Sequence, residues 1–262
     1  MIYETTTEYN RNLQELEDLL VRRDQMYKEA ASNLTEYTRE FGDMIVANFE
    51  LKLACIEQKK AISYCRRRIN RGLPIDVTKM QAELEQEMKL YRVQLEELVK
   101  ETDEAKKAEA VDQYTSSRVK KIYRRLAKLL HPDINKKTQD SEELQDLWTR
   151  IVKAYRASNV EELEDLEVLA RKAMESLGED AYEVEYNDLE RRIERVERQI
   201  NEILTTEPYT YGEILRDEEK KEAHRRQLED EHDDYEQYLA MLTKTIGEIL
   251  QGGRMEIILQ TE

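Results

Sequence analysis

Residues 119–133 read VKKIYRRLAKLLHPD, the one stretch of the chain whose chemistry points toward a particular partner. Placed on a helix, Val119, Ile122, Tyr123, Leu126 and Leu130 fall on one side, and Lys120, Lys121, Arg124, Arg125 and Lys128 on the other. The segment therefore has a core face and a cationic face. Pro132 cannot continue the helix and restricts His131 to extended angles, so a histidine and a carboxylate sit on a stiff turn beside the cationic face.

The surrounding composition makes this segment an island. Between Arg118 and Lys137 there are eight Lys or Arg against one Asp, a local charge of +7 in a chain of net −16, which leaves −23 on the remainder. With 39% hydrophobic and 38% charged residues, seven Gly, three Pro and two Phe in 262 residues, breakers and aromatic bulk are scarce. That balance favours long charged helices over one thick globular core. The absence of a membrane-length apolar run and of a charged-then-apolar leader makes a soluble cytoplasmic protein the expectation. Two cysteines make no disulfide framework.

Outward from the island, heptads organise the chain. Leu13, Leu20, Tyr27, Leu34, Phe41, Asn48, Cys55, Ile62 and Ile69 recur every seven residues, with Leu16, Arg23, Ala30, Tyr37, Met44, Leu51, Gln58 and Cys65 three positions behind them. This is a coiled-coil seam. Arg71-Gly72-Leu73-Pro74 suits a turn, and Leu84, Met88, Tyr91, Leu95, Leu98, Thr102 and Ala105 predict a returning helix, so that residues 8–113 read as an antiparallel hairpin. The arms are unequal, roughly 95 Å against roughly 55 Å at 1.5 Å per residue. Either the first arm breaks, with Gly42 a candidate site, or its N-terminal part packs on something other than the second arm. Tyr182 to Ile203 and Leu228 to Ile249 carry the same spacing around a break at 207–212, which predicts a second hairpin ending at Gly252-Gly253.

Between the hairpins a small helical module is expected. Tyr114 to Ser117 offer hydroxyl caps, residues 134–139 read as a loop, and Asp140 with Glu143 suggests a capping box. The next helix puts Leu144, Leu147, Trp148, Ile151 and Tyr155 at the same offsets as the stripe of the basic helix. Two matched stripes joined by about ten residues should pack antiparallel. Asn159 and Glu162 mark a further helix start. The organisation expected is all-α: a coiled-coil hairpin (1–114), a short helical module (115–178), and a second hairpin with a tail (179–262).

Tyr123-Arg124-Arg125-Leu126-Ala127-Lys128-Leu129-Leu130-His131-Pro132-Asp133, then Asn135, and later Trp148, Ile151, Ala154 and Tyr155, resemble the second helix, signature loop and third helix of a J-domain, the module of the DnaJ family of co-chaperones. The resemblance covers about residues 115–170 and neither coiled-coil region. It implies activation of a DnaK-type ATPase chaperone rather than catalysis by this chain. His131, Pro132 and Asp133 match the signature contacts, and Lys121, Arg124, Arg125 and Lys128 match the basic face that meets the chaperone's acidic surface. Such charges would speed and orient the encounter in a salt-dependent way.

The chain departs from the family pattern in four places. The family's first helix is absent, and the end of the preceding helix near 105–114 is the expected substitute. Ile134 stands where a lysine often follows the signature. No Gly/Phe-rich linker and no repeated Cys-x-x-Cys pattern is present. The expectation is a specialised co-chaperone whose coiled coils recruit a client of unknown identity or a second copy of the chain. A coiled-coil scaffold that keeps the J-like fold as an architectural piece is the alternative. A nucleic-acid or lipid binder is opposed by the −23 on the remainder. Enzymatic activity lacks a phosphate loop, a nucleophile-base pattern or clustered metal ligands, and no cofactor is implied. His232 and His224 read as packed or rim histidines, Cys55 and Cys65 as buried thiols, and Asn48 as a polar residue that sets register.

Overall fold

A computed structural model describes residues 2–108, 113–177, 186–252 and 255–256, with side chains over 9–108, 114–174 and 189–252. Among these residues the elements are α1 (Ile2–Asn70), β1 (Ile75–Asp76), α2 (Val77–Lys107), α3 (Gln113–Leu130), α4 (Lys136–Asp140), α5 (Glu142–Arg156), α6 (Val160–Leu177), α7 (Tyr186–Thr205), α8 (Tyr211–Leu215), α9 (Glu218–Gly252) and β2 (Met255–Glu256). The fold is all-α. Among the described residues one strand pair forms, parallel and two residues long, Ile75 opposite Met255 and Asp76 opposite Glu256.

The chain forms two compact units, each from discontinuous segments: residues 1–34 with 109–212, and residues 35–108 with 213–262. These units cut across the three successive segments that the heptads suggest, because α1 contributes to both. α1 is unbroken through Gly42. The stretches 186–203 and 228–249, expected as arms of one hairpin, pack against different parts of α1 instead.

In the second unit, Cys55, Ala61, Ile62 and Cys65 of α1 share a core with Met80 and Leu84 of α2 and with Leu242 and Ile246 of α9. Three helices therefore close one seam. Both cysteines are buried and free, and burial raises the pKa of each thiol. The α1–α2 turn is made as its residues suggest. Gly72 adopts φ 67°, and the amides of Arg71 and Leu73 donate to the Arg68 carbonyl at 3.1 and 3.0 Å. Asp76 then caps α2 by accepting from the Lys79 amide at 3.0 Å.

Gly42 marks a close helix approach rather than a break. A Cβ built there would lie 2.7 Å from Thr102 Cγ2 and 2.9 Å from its Oγ1. Asn48 holds the seam register: its Nδ2 donates to the Leu228 carbonyl at 2.8 Å, and its Oδ1 lies 2.9 Å from His232 Nδ1. His224 lies 2.7 Å from the Tyr37 hydroxyl and stands edge-on to Phe41.

In the first unit, Leu16, Leu20 and Met26 of α1 pack with Leu189, Val196, Ile200 and Ile203 of α7. This is the other partner that the overlong arm requires. Tyr27 and Leu34, on the same seam of α1, are nearly half exposed. A second core joins α3, α5 and α6 through Val119, Ile122, Tyr123, Leu126, Leu130, Leu144, Ile151, Tyr155, Leu163, Leu166 and Ala170. No helix of the described residues is long and apolar enough to cross a membrane.

Candidate functional site

The stripe read from residues 119–130 is the buried face of α3. Its partner is α5, and the ring contacts give the direction: Tyr123 stacks on Tyr155 at 3.9 Å between centroids, while His131 meets Trp148 edge-on at 4.9 Å. A higher number on one helix meets a lower one on the other, so the pair is antiparallel. Tyr114 to Ser117 lie inside α3, and the preceding helix ends earlier, at Lys107. The expected loop at 134–139 contains α4, and Ser141 rather than Asp140 caps α5, accepting from the Leu144 amide. Asn159 caps as its position suggests, its Oδ1 accepting from the Glu162 amide at 3.1 Å.

The His-Pro-Asp turn is fixed from several sides. The amides of Ile134 and Asn135 both donate to the His131 carbonyl, at 2.9 and 2.8 Å. Asn135, fully buried, donates through Nδ2 to the Leu129 carbonyl at 2.8 Å and accepts from the Lys137 amide at 3.0 Å. His131 is only 4% exposed, and its Nδ1 accepts from the Asp133 amide at 3.0 Å, which assigns the neutral ring's proton to Nε2. Burial pushes its pKa down to about 4, against the opposing pull of the Asp24 and Asp133 carboxylates. A cavity of about 280 Å³ opens here, lined by His131, Pro132, Asp133, Trp148 and Asp24 among others.

What lies beside this turn is not legible in the module's own sequence. Residues 105–114, expected to substitute for the family's first helix, lie partly outside the described residues; within the first unit it is Val21 of α1 that enters the α3–α5–α6 core. Asp24 Oδ2 accepts the Tyr123 hydroxyl at 2.6 Å, while its Oδ1 receives Arg23 at 2.8 Å. Arg23 Nη2 reaches to 3.5 Å from His131 Nε2, and Nη1 donates to Gln199 of α7 at 3.1 Å. Lys28 donates to the Tyr155 carbonyl and the Ser158 hydroxyl, both at 2.7 Å; desolvation first, then Lys120, lowers its pKa to about 8.

From the other side, α7 holds the aspartate. Arg195 pairs with the Asp133 carboxylate at 3.0 Å, and Arg192 donates to the Asp133 carbonyl at 2.7 Å. Ile134 is 2% exposed and belongs to the α1–α7 core. The apolar side chain at this loop position thus has a physical reason: it fills the core between α1 and α7. Burying such a side chain is worth about 1.5–3 kcal/mol.

The cationic face is brought together as read, but most of it is neutralised inside the unit. Arg124 pairs with Asp18 of α1, Lys128 with Glu17 of α1 at 2.6 Å, and Arg118 with Glu164 of α6 at 2.5 Å. Arg125 grips Glu167 of α6 through two bonds, at 2.7 and 2.6 Å. With Arg171 also donating, the Arg125 contact foremost, the Glu167 carboxyl is held at about 2. Lys121 is exposed, without an ion-pair partner among the described residues.

Glu17, Asp18, Val21, Arg23, Asp24, Arg192 and Arg195 are the residues that sequence reasoning missed. Two features of the sequence sit beside them: Arg23 among the few polar residues on the seam, with Asn48 and Gln58, and apolar Ile134 next to the His-Pro-Asp turn. No protein-family model, no curated protein and no solved structure matches the chain. The resemblance therefore rests on the quoted residues.

Proposed function

We propose that the chain is a J-domain-type co-chaperone that stimulates ATP hydrolysis by a DnaK-type chaperone, acting in the cytoplasm and performing no catalysis itself. One observation carries the reading. A stiff His131-Pro132-Asp133 turn ends a basic amphipathic helix whose apolar stripe packs antiparallel on the helix bearing Trp148, Ile151, Ala154 and Tyr155. His131, Pro132 and Asp133 are the proposed contacts on the chaperone, with Lys121, Arg124, Arg125 and Lys128 steering the encounter. The coiled-coil helices recruit the client, or pair with a second copy.

A second reading is favoured by the burial of His131 and Ile134: the module is an architectural joint in a coiled-coil scaffold. Single-turnover ATP hydrolysis by a purified DnaK-type chaperone from the encoding organism separates the two. The co-chaperone reading expects stimulation by the full chain, lost in His131→Gln and in Asp133→Asn while far-ultraviolet circular dichroism is unchanged. Equal rates with wild type and both variants would leave the scaffold reading standing.

A further inference from the structure

Three of the recognition residues named above, Arg124, Lys128 and Asp133, are engaged within their own unit by groups of opposite charge on two helices outside the module. α1 presents Glu17 and Asp18 to Lys128 and Arg124, and Asp24 to Tyr123. α7 presents Arg195 and Arg192 to the carboxylate and carbonyl of Asp133. An acidic surface over the basic helix and a cation on the signature aspartate form the same charge pattern that a partner must offer to bind this face. Two different ligands cannot hold these atoms at once.

We infer that α1 and α7 form a built-in competitor, a clasp that occupies the docking face of the module and must be displaced before a chaperone can engage His131-Pro132-Asp133. This rests on the co-chaperone reading and concerns the regulation of that same site. The geometry gives the clasp one firm and one loose component. Ile134 and Val21 are buried anchors that keep the helices in register with the module. The ion pairs are the loose component: the cationic side chains of Arg124, Lys128 and Arg195 are 55, 45 and 48% exposed and Asp18 is 47%, so water and salt reach the pairs from at least one side, although Glu17 and Asp133 are only 14 and 24% exposed. Exposed pairs of this kind contribute little each, so their contacts exchange readily with those of a partner. A partner binding only the open form has its apparent affinity reduced by the open fraction.

The test uses the full-length chain with Glu17→Gln, Asp18→Asn and Arg195→Gln combined, which removes the three clasp charges that form ion pairs with Lys128, Arg124 and Asp133, isosterically at the two acids, and leaves Ile134 and Val21 in place. Circular dichroism and Trp148 fluorescence report whether the unit stays folded. Two measurements follow: amide hydrogen exchange at residues 131–135 without any partner, and the chain concentration giving half-maximal stimulation of a DnaK-type chaperone. The clasp predicts faster exchange, and a half-maximal concentration lowered about tenfold, with stimulation lost on adding His131→Gln. If wild type and triple variant stimulate at the same concentration and both depend on His131, the co-chaperone reading stands and the clasp is overturned. If neither shows His131-dependent stimulation, the co-chaperone reading fails, and the clasp with it.

Discussion

Replacing Gly42 with alanine tests a close helix approach in the second unit, because two effects of known sign oppose each other there. In a helix interior the change is favourable by about 0.5–1 kcal/mol, since glycine loses more backbone freedom on folding. Against this, the new Cβ would lie 2.7 Å from Thr102 Cγ2 and 2.9 Å from Oγ1, where about 3.5–4 Å is the comfortable separation between carbons. Thr102 has little room to yield: it is 2% exposed, β-branched, and its hydroxyl donates to the Leu98 carbonyl at 2.9 Å. Overpacking of this kind costs about 1–3 kcal/mol, so Gly42→Ala should destabilise by roughly 1 kcal/mol net. In a Thr102→Ala background the clashing atoms are gone, the nearest remaining atom being Cβ at 3.3 Å, and Gly42→Ala should become neutral or stabilising. Urea unfolding of the four chains, followed by far-ultraviolet circular dichroism, should give a coupling energy of about 1–2 kcal/mol. A coupling below about 0.5 kcal/mol would refute the close approach.

Two further predictions concern buried polar groups. Because burial holds the His131 pKa near 4, the folded chain stays neutral at this ring while the unfolded chain takes up a proton below about pH 6.5. Stability of the first unit should therefore fall by up to roughly 3 kcal/mol as pH drops from about 6.5 to 4. Urea titrations read through Trp148, the only tryptophan and a neighbour of the His131 ring, should show this slope, and His131→Gln should flatten it. Glu167, held at about 2, adds its own loss only at lower pH, between about 4.5 and 2. In the second unit, Asn48→Ala strips the Leu228 carbonyl and His232 of their bonds to this side chain and should cost about 1–3 kcal/mol, measurable as a lowered urea midpoint. An unchanged midpoint would mean that Asn48 does not hold the seam.

How far the sequence was readable follows from what a heptad encodes. Leu16, Leu20, Cys55, Ile62 and Cys65 are spaced for a helix with one buried face, and all five are buried. Spacing names a face, however, and not the helix that covers it. The change of partner along α1, from α7 beside Leu20 to α2 and α9 beside Ile62, leaves no mark in the repeat beyond exposed Tyr27 and Leu34. The site was legible to the same degree. His131 to Asp133 and the basic face follow from local pattern, but Asp18 and Arg195 come from segments about 110 residues before and 60 residues after the turn. Their pairing is a tertiary fact with no local signal. Ile134 is a partial exception: it stands out in the sequence as an apolar residue in a polar loop, but the core it enters is visible only in the structure.

α1 also sets the order in which the protein can be made. Its first half emerges from the ribosome with Leu16 and Leu20 uncovered, and the α7 residues that cover them, as far as Ile203, lie up to some 180 residues away. At roughly 5–20 residues per second the exposed stripe waits about 10–40 s for its partner. During that interval the stripe is open to other apolar surfaces, including the same stripe on a neighbouring nascent chain. Synthesis on crowded polysomes would favour the pairing of two copies, whereas a lone ribosome would favour closure within one.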